Sequence, residues 1–355
     1  MASRAEPRAP VTRGRWLELG ALEPAPLHAA YAGIARAQPV DGPPFVVRAG
    51  AASGHLVLGA TQAAGEADLA ACRARGWGPW RRPLGGGAVW VDAEQHPFFI
   101  GLPGGDGHRE EAEAAILEAL VATHRAFGLP ATVVGRDVWV GNRKVVGTGS
   151  ATVGRTWLLG AALLWRLPVR RFARAVAAPS AGYRRWLARE LAAGLSSWED
   201  HTPRPPADEA DTVLAAELGR RLGVEWVRDA PTVAEHDAIR EEKAEVRAEA
   251  DELDPEEPSR LPGGIKVNHR TYLVEGEGVR LVLRDGRIAR AARTADEAPL
   301  AEWLGRPPVA GELPGERTLA RAAEVVAEPV FRLAGWQCPA EPGGRAPGHG
   351  VHTSL

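Results

Sequence analysis

The chain has 355 residues, 45% of them hydrophobic, with a formal net charge of −2 at pH 7. That length suits about two domains with buried cores, and the near-neutral charge excludes a general attraction to nucleic acid or an anionic membrane. Its two cysteines, Cys72 and Cys338, form no CxxC or Cys/His cluster, which excludes a disulfide scaffold or thiolate zinc site, and no uninterrupted apolar run is long enough to span a membrane.

Residues 1–14 read as a disordered leader without the apolar segment of a secretory signal, so a cytoplasmic protein is expected. Pro26 to Ala37 predicts a short helix, and PFVVRAG and HLVLGAT, from Pro44 and His55, predict strands. Glu66 to Gly76 predicts a helix ended by its glycine, and Ala88–Val91 and PFFIGLP predict sheet strands. The clearest helix is 110–127, where Ile116, Leu117, Leu120, Val121 and Phe127 share a face and acidic residues occupy the first turn. ATVVG and DVWVGNRKVVG read as strands with a turn at Gly141-Asn142, and Thr156 to Trp165 as a buried strand. Ser180 suits the cap of a helix through YRRWLAREL. The breaker PRPP, residues 203–206, precedes a helix from Asp211 to Leu222 that Gly223 stops. Residues 236–257 are acidic and alanine-rich and predict a solvated helical linker. From Leu261 the sequence alternates as strands, with Asp285-Gly286 as a hairpin signal, and a helix is expected near Arg317–Val326. The segment after Trp336 reads as a disordered tail.

Two segments concentrate the chemistry. RRPLGGGAVW, residues Arg81 to Trp90, sets two guanidiniums and three glycines before an apolar run. Glycine admits a sharp bend or the close approach of another molecule, and guanidinium suits carboxylate or phosphate; a plain surface turn is the alternative, since the chain holds 41 glycines. The second segment, GRDVWVGNRKVVGTGSA, places Lys144 after a turn and then a strand of small residues that leaves room for a ligand. Lysine is rare here: only Lys144, Lys243 and Lys266 interrupt the arginines among 43 strong cations.

This pair of segments resembles the lipoate–protein ligases of the biotin/lipoate protein ligase family. The resemblance rests on Arg81-Arg82, Gly85-Gly86-Gly87-Ala88-Val89, Asp137 and Lys144-Val145-Val146-Gly147-Thr148, together with the preceding VLGATQ…CRARGW. It covers roughly residues 15–245, and 255–335 resemble the accessory C-terminal domain of such ligases. It implies an α/β (α+β) fold, with a mixed, largely antiparallel sheet flanked by helices and a small α+β C-terminal domain. The implied organisation is a catalytic domain at 15–235, the linker at 236–257, an accessory domain at 258–335 and a tail at 336–355.

The implied activity is activation of lipoate, or a similar medium-chain acid, with ATP and Mg²⁺ to an acyl-adenylate. Transfer to a lysine of a lipoyl-carrier domain, of 2-oxoacid dehydrogenase E2 or glycine-cleavage H protein type, would follow; neither nucleic acid nor membrane is an implied partner. Lys144 would be catalytic, placed on the reacting carboxylate and α-phosphate where charge grows in the transition state. Arg82 and Gly85, Gly86 and Gly87 would cradle acyl chain and phosphate, and Asp137 would help hold Mg²⁺. Val89, Trp90 and the strand of Gly147, Thr148 and Ser150 would line an acyl slot. The sequence departs from the family at Leu84, where Ser or Thr is usual, at Val91 (His), Gln95 (Asn) and Arg136 (Asn). Each change alters a polar contact, and one lost hydrogen bond to a charged group costs about 1.5–3 kcal/mol. Two other readings are a non-catalytic acyl-binding homologue and a cysteine-dependent octanoyl or lipoyl transferase. The transferase lacks support, because no cysteine follows the lysine motif before Cys338. The basic stretch 166–189 suits either a solvated helix face or a docking surface for an acidic carrier domain.

Overall fold

The computed structural model describes residues 12–104, 108–254, 256–257, 263–268, 271–276 and 278–307. In chain order its first elements are β1 (Thr12–Leu22), α1 (Pro24–Ala37), β2 (Phe45–Ala51), β3 (His55–Leu58), α2 (Leu69–Arg73), β4 (Trp80–Arg81), β5 (Val89–Val91) and β6 (Gln95–Pro103). There follow α3 (Arg109–Ala126), β7 (Ala131–Val134), β8 (Asp137–Val140), β9 (Arg143–Val146), β10 (Thr148–Val153) and β11 (Thr156–Leu164). Next come α4 (Val169–Ala175), α5 (Ala181–Gly194), α6 (Ala207–Leu222), β12 (Val224–Asp229) and α7 (Val233–Asp251). Four strands close the described chain: β13 (Gly264–Asn268), β14 (Thr271–Gly276), β15 (Val279–Arg284) and β16 (Arg287–Arg293).

The central sheet runs β10-β11-β6-β2-β1-β12. Its pairs are antiparallel from β10 to β2 and parallel at β2–β1 and β1–β12. The expected mixed, largely antiparallel sheet is therefore present. Alternate side chains of each strand enter opposite layers. Trp16, Val46, Phe98 and Ile100 pack with α3 and α6 on one face, while Leu17, Phe45, Val47 and Phe99 pack with α1 on the other. Two three-stranded sheets, β4-β3-β5 and β7-β8-β9, flank this core, and the C-terminal strands form a separate antiparallel sheet β13-β14-β15-β16.

Local sequence rules account for most boundaries. Ser180 accepts the Tyr183 N–H at 2.9 Å and caps α5. Gly223 ends α6 with φ +68°. Asp285 and Gly286 have φ +52° and +72°, the two left-handed positions a two-residue hairpin needs.

Four expectations change. Residues 12–14 of the expected leader belong to β1, whose Arg15 binds Asp229 at 2.6 Å and Glu235 at 2.5 Å; residues 1–11 lie outside the described residues. The helix expected over 66–76 shortens to α2, because Ala67 makes a bridge to Val176 and Asp68 caps the helix only from Leu69 onward. The helix at 211–222 starts earlier, at Ala207, directly after Pro206, with Asp208 and Glu209 in its first turn. The segment 236–257 is helical, as expected, but it packs on a neighbouring helix instead of standing free as a linker. Most of it is α7, opened by a Thr232/Glu235 capping box and laid against α1, with Glu235 and Glu242 buried. The helix expected near 317–326 and the tail lie outside the described residues.

Gly33 lets these two helices touch: a Cβ there would stand 2.6 Å from the backbone of Ile239. Gly33→Leu must push α7 off α1 and is expected to lower stability by about 1–3 kcal/mol, read from the urea midpoint at unchanged m-value.

Candidate active site

The triple-glycine bend follows β4 and runs against β10. Gly85 donates its N–H to the Ser150 carbonyl at 3.2 Å, and a Cβ on Gly149 would come within 2.7 Å of the Gly85 carbonyl. Small residues on both sides are thus a packing requirement. Gly86 has φ +101°, a conformation that strains any side chain.

Arg82 fixes the shape of the bend. It is 9% exposed, and its Nη2 donates to the carbonyls of Gly85 at 3.0 Å and Gly87 at 2.8 Å, while Nη1 reaches Val57 O at 3.4 Å. Three carbonyls and no carboxylate hold this guanidinium among the described residues, and burial pulls its pKa down to about 10. Drawing two loop carbonyls inward leaves the N–H groups of Gly86 and Gly87 with no acceptor among the described residues. Consecutive open N–H groups form a concavity suited to an anion.

Behind Arg82 lies a buried imidazole pair. His28 and His55 approach Nε2 to Nε2 at 3.1 Å. Ser53 O can only accept, so His55 Nδ1 donates to it at 2.9 Å and its Nε2 must accept. His28 Nε2 therefore donates, and its Nδ1 accepts from the Tyr31 hydroxyl at 3.4 Å. Both rings are neutral, and burial lowers both pKa values, that of His55 to about 4.

Lys144 on β9 and Asp137 on β8 face each other, with Nζ 3.8 Å from Oδ2. That is a Coulombic contact longer than a hydrogen bond. A Cβ on Gly147 would lie 3.2 Å from Nζ and 3.8 Å from Asp137 Oδ1, so the missing side chain leaves space beside both charges. The β9 backbone is pinned from behind, since Lys144 O accepts the Ser196 N–H at 2.8 Å. From Gly147 the chain passes at once into β10, where Gly149 meets the glycine bend and the Thr148 carbonyl lies 3.9 Å from the Cβ position of Gly86. Gly147 thus stands beside Lys144 and Asp137, and the strand that follows it, β10, runs against the bend. The one carboxylate here, Asp137, is the oxygen ligand type that Mg²⁺ takes when its remaining ligands are phosphate and water. No cluster of three metal-ligating side chains occurs among the described residues.

Other expected residues are engaged differently. Arg81 binds Glu249 at 3.1 Å, Glu257 at 3.2 Å and Gln62 O at 2.9 Å, so its carboxylate partners are the protein's own. Val89 is 40% exposed. Trp90, on the opposite face of β5, is buried rather than lining a slot: it packs edge-to-face on Trp77 and donates to Asp92 Oδ2 at 2.7 Å. Thr148 donates to Arg136 O at 2.9 Å, and Ser150 accepts from Arg136 Nη2 at 3.1 Å. Leu84 and Val91 are buried in the α1-side core. Gln95 donates to Trp90 O at 2.6 Å, and Arg136 pairs with Glu113. Cys72 is buried, its thiol pushed up to about 12, and it donates to Ala175 O at 3.3 Å; Cys338 lies outside the described residues. Sequence reasoning did not assign Lys266 of β13, whose carbonyl lies 3.5 Å from the Cβ position of Gly87; the scarcity of lysine was the available signal.

The buried imidazoles make stability pH-dependent. In the folded chain the pKa values of His28, His55 and His124 lie below the ordinary 6.5, with His124 near 4. Protonation below pH 6.5 thus favours the unfolded chain. Stability is fully present above that value and falls toward pH 4, by about 1.4 kcal/mol per pH unit for each such group. Urea titrations at pH 7, 6 and 5 are expected to show this loss, with a shallower slope for His55→Gln.

No curated protein matches the sequence. Residues 48–219 match the family described as lipoyl protein ligase A/B catalytic domain. Among solved structures, the bi-partite lipoate protein ligase of an archaeal lipoylation system from Thermoplasma acidophilum superposes with TM-score 0.61 at 23% identity, over 66% of this chain and 92% of its own. A lipoate-protein ligase A bound with ATP gives 0.56 at 22%, over 65% and 94%. P. falciparum LipL1 in complex with lipoate gives 0.51 at 14%, over 78% and 82%. At these identities the likeness is one of fold. Through residues 48–219 this chain is similar to the lipoyl protein ligase A/B catalytic-domain family.

Proposed function

We propose that the protein is an ATP-dependent ligase that activates lipoate, or a similar medium-chain acid, as an acyl-adenylate and passes the acyl group to a lysine of a lipoyl-carrier domain. The observation that carries this reading is that Lys144, Asp137 and Gly147 adjoin a glycine bend whose carbonyls are held by Arg82 and whose Gly86 and Gly87 N–H groups have no acceptor among the described residues. Two anions, a carboxylate and a triphosphate, must meet for adenylation, and this is where fixed positive charge and open donors coincide.

Lys144 would sit between the reacting carboxylate and the α-phosphate, as a compact charge with three donors. Gly86 and Gly87 would donate to phosphate or acyl oxygen, and Arg82 would act through the loop, fixing the direction of those donors. Asp137 would hold Mg²⁺, which when bound offsets phosphate charge. Val89 with Gly147, Thr148 and Ser150 would border the acyl chain. The carrier would be of E2 or H protein type; a relative's E2 lipoyl domain belongs to the same archaeal system as its ligase. Its docking face would be the outer side of α4 and α5, where Arg170, Arg174 and Arg185 are exposed and have no ion pair among the described residues. The division into a catalytic unit ending near 235 and an accessory unit from 258 is part of this reading, as is a cytoplasmic location; among the described residues no helix is long and apolar enough to cross a membrane.

A second reading, an acyl-binding homologue without adenylation, is favoured by one observation. Leu84 and Val91 are buried in the core and Gln95 is spent on Trp90 O, so three positions that depart from the family offer no polar group to a nucleotide. ATP–pyrophosphate exchange separates the two. The ligase requires lipoate-dependent exchange that falls at least about a hundredfold in Lys144→Ala, the scale of losing a transition-state charge contact. Lipoate binding without exchange in the wild-type chain establishes the second reading instead.

A further inference from the structure

The C-terminal sheet reaches the glycine bend. Its first strand, β13, packs through Ile265 into the cluster formed by Leu56, Leu58, Ala88 and Trp90 around the bend. This places the next residue, Lys266, beside Gly87: its carbonyl lies 3.5 Å and its Cβ 4.0 Å from the Cβ position of that glycine. Lys266 pairs across the sheet with Tyr272, and its Nζ lies 5.9 Å from the centre of that ring. Burial and the charge of Lys144 both lower its pKa, against the opposing pull of Asp137 and Glu66.

Two of the chain's three lysines, from two different sheets, are thus gathered at one glycine bend in a protein that otherwise uses arginine. Two partly buried ammonium groups within each other's field repel, a cost that Asp137 and Glu66 offset in part. A polyanion between them would add to that offset, since a lowered dielectric strengthens each attraction. A lysine suits this place because its charge is compact and its donors turn freely.

We propose that Lys266 is a second substrate-contacting cation, which binds the phosphate chain of the nucleotide at the glycine bend opposite Lys144. This rests on the ligase reading for its chemistry. In adenylation an oxygen of the acid forms a bond to the α-phosphorus while the bond from that phosphorus to the bridging oxygen breaks. Pyrophosphate departs with the electron pair, and no proton need move. Lys266 stays protonated and offsets charge on the departing group, while Lys144 serves the carboxylate and α-phosphate. The second half-reaction, attack of a carrier amine on the acyl-adenylate, releases AMP and has no pyrophosphate for Lys266 to hold.

The test uses the full chain with inorganic pyrophosphate as the probe, titrated calorimetrically at constant ionic strength. Lys266→Met is expected to weaken binding about tenfold or more, the scale of one hydrogen bond to a charged group, at unchanged melting temperature. Lys266→Arg, which keeps the charge, is expected to stay within a few-fold of wild type. In the half-reactions, Lys266→Met should slow ATP–pyrophosphate exchange and leave transfer from preformed lipoyl-adenylate unchanged. Pyrophosphate affinity equal in wild type and Lys266→Met overturns the proposal, as does a wild-type chain that does not bind pyrophosphate. Exchange that is robust and equal in both chains sinks this assignment and leaves the ligase reading standing. Binding that depends on Lys266 in a chain without lipoate-dependent exchange does the reverse.

Discussion

A buried guanidinium that spends itself on backbone carbonyls is the constraint on which the site depends. Arg82 takes the carbonyls of Gly85, Gly87 and Val57 and so joins the bend to β3. A charge removed from water is costly unless its donors are satisfied, so the bend cannot relax without stranding it. The neutral His28–His55 pair lies close behind and adds no opposing charge. The direction of the loop's N–H groups is a by-product of satisfying that one side chain.

The surrounding layers keep this arrangement stationary. β10 belongs to the large sheet and touches the bend, while β3 and β5 belong to a small one, so the bend is a seam between two sheets. Arg15 ties β1 to the start of α7, and Arg81 ties β4 to its far end through Glu249. A helix that is acidic and poor in large apolar residues can therefore be structural when its acids pair with Arg15, Arg36 and Arg81 and its backbone approaches a neighbouring helix closely at Gly33.

How much of this was legible in the sequence depends on how local each signal is. Ser180, Gly223 and Asp285-Gly286 act within a few residues, and the structure places them as caps, stop and turn. The apolar stripe from Ile116 to Val121 did the same for α3. β1 was not read as a strand, because its partners β2 and β12 are parallel and one of them is two hundred residues away. α7 was misread because burial of Glu235 and Glu242 is decided by Arg15 and Arg36, which no local window contains. At the site, the lysine and glycine motifs were visible as patterns. The role of Arg82 as an internal staple was not, since a guanidinium beside glycines looks the same whether it faces ligand or backbone. Lys266 lies in a segment whose alternation showed only a strand, and its proximity to Gly87 is a tertiary fact.

The contact between β13 and the glycine bend has a kinetic meaning. Because the C-terminal sheet is carried on the same polypeptide, its arrival at the bend is an intramolecular event. A tether of moderate length supplies an effective local concentration on the order of millimolar, far above that of a dilute separate subunit. Docking then does not depend on expression level or dilution, so Lys266 stays at the bend at any protein concentration.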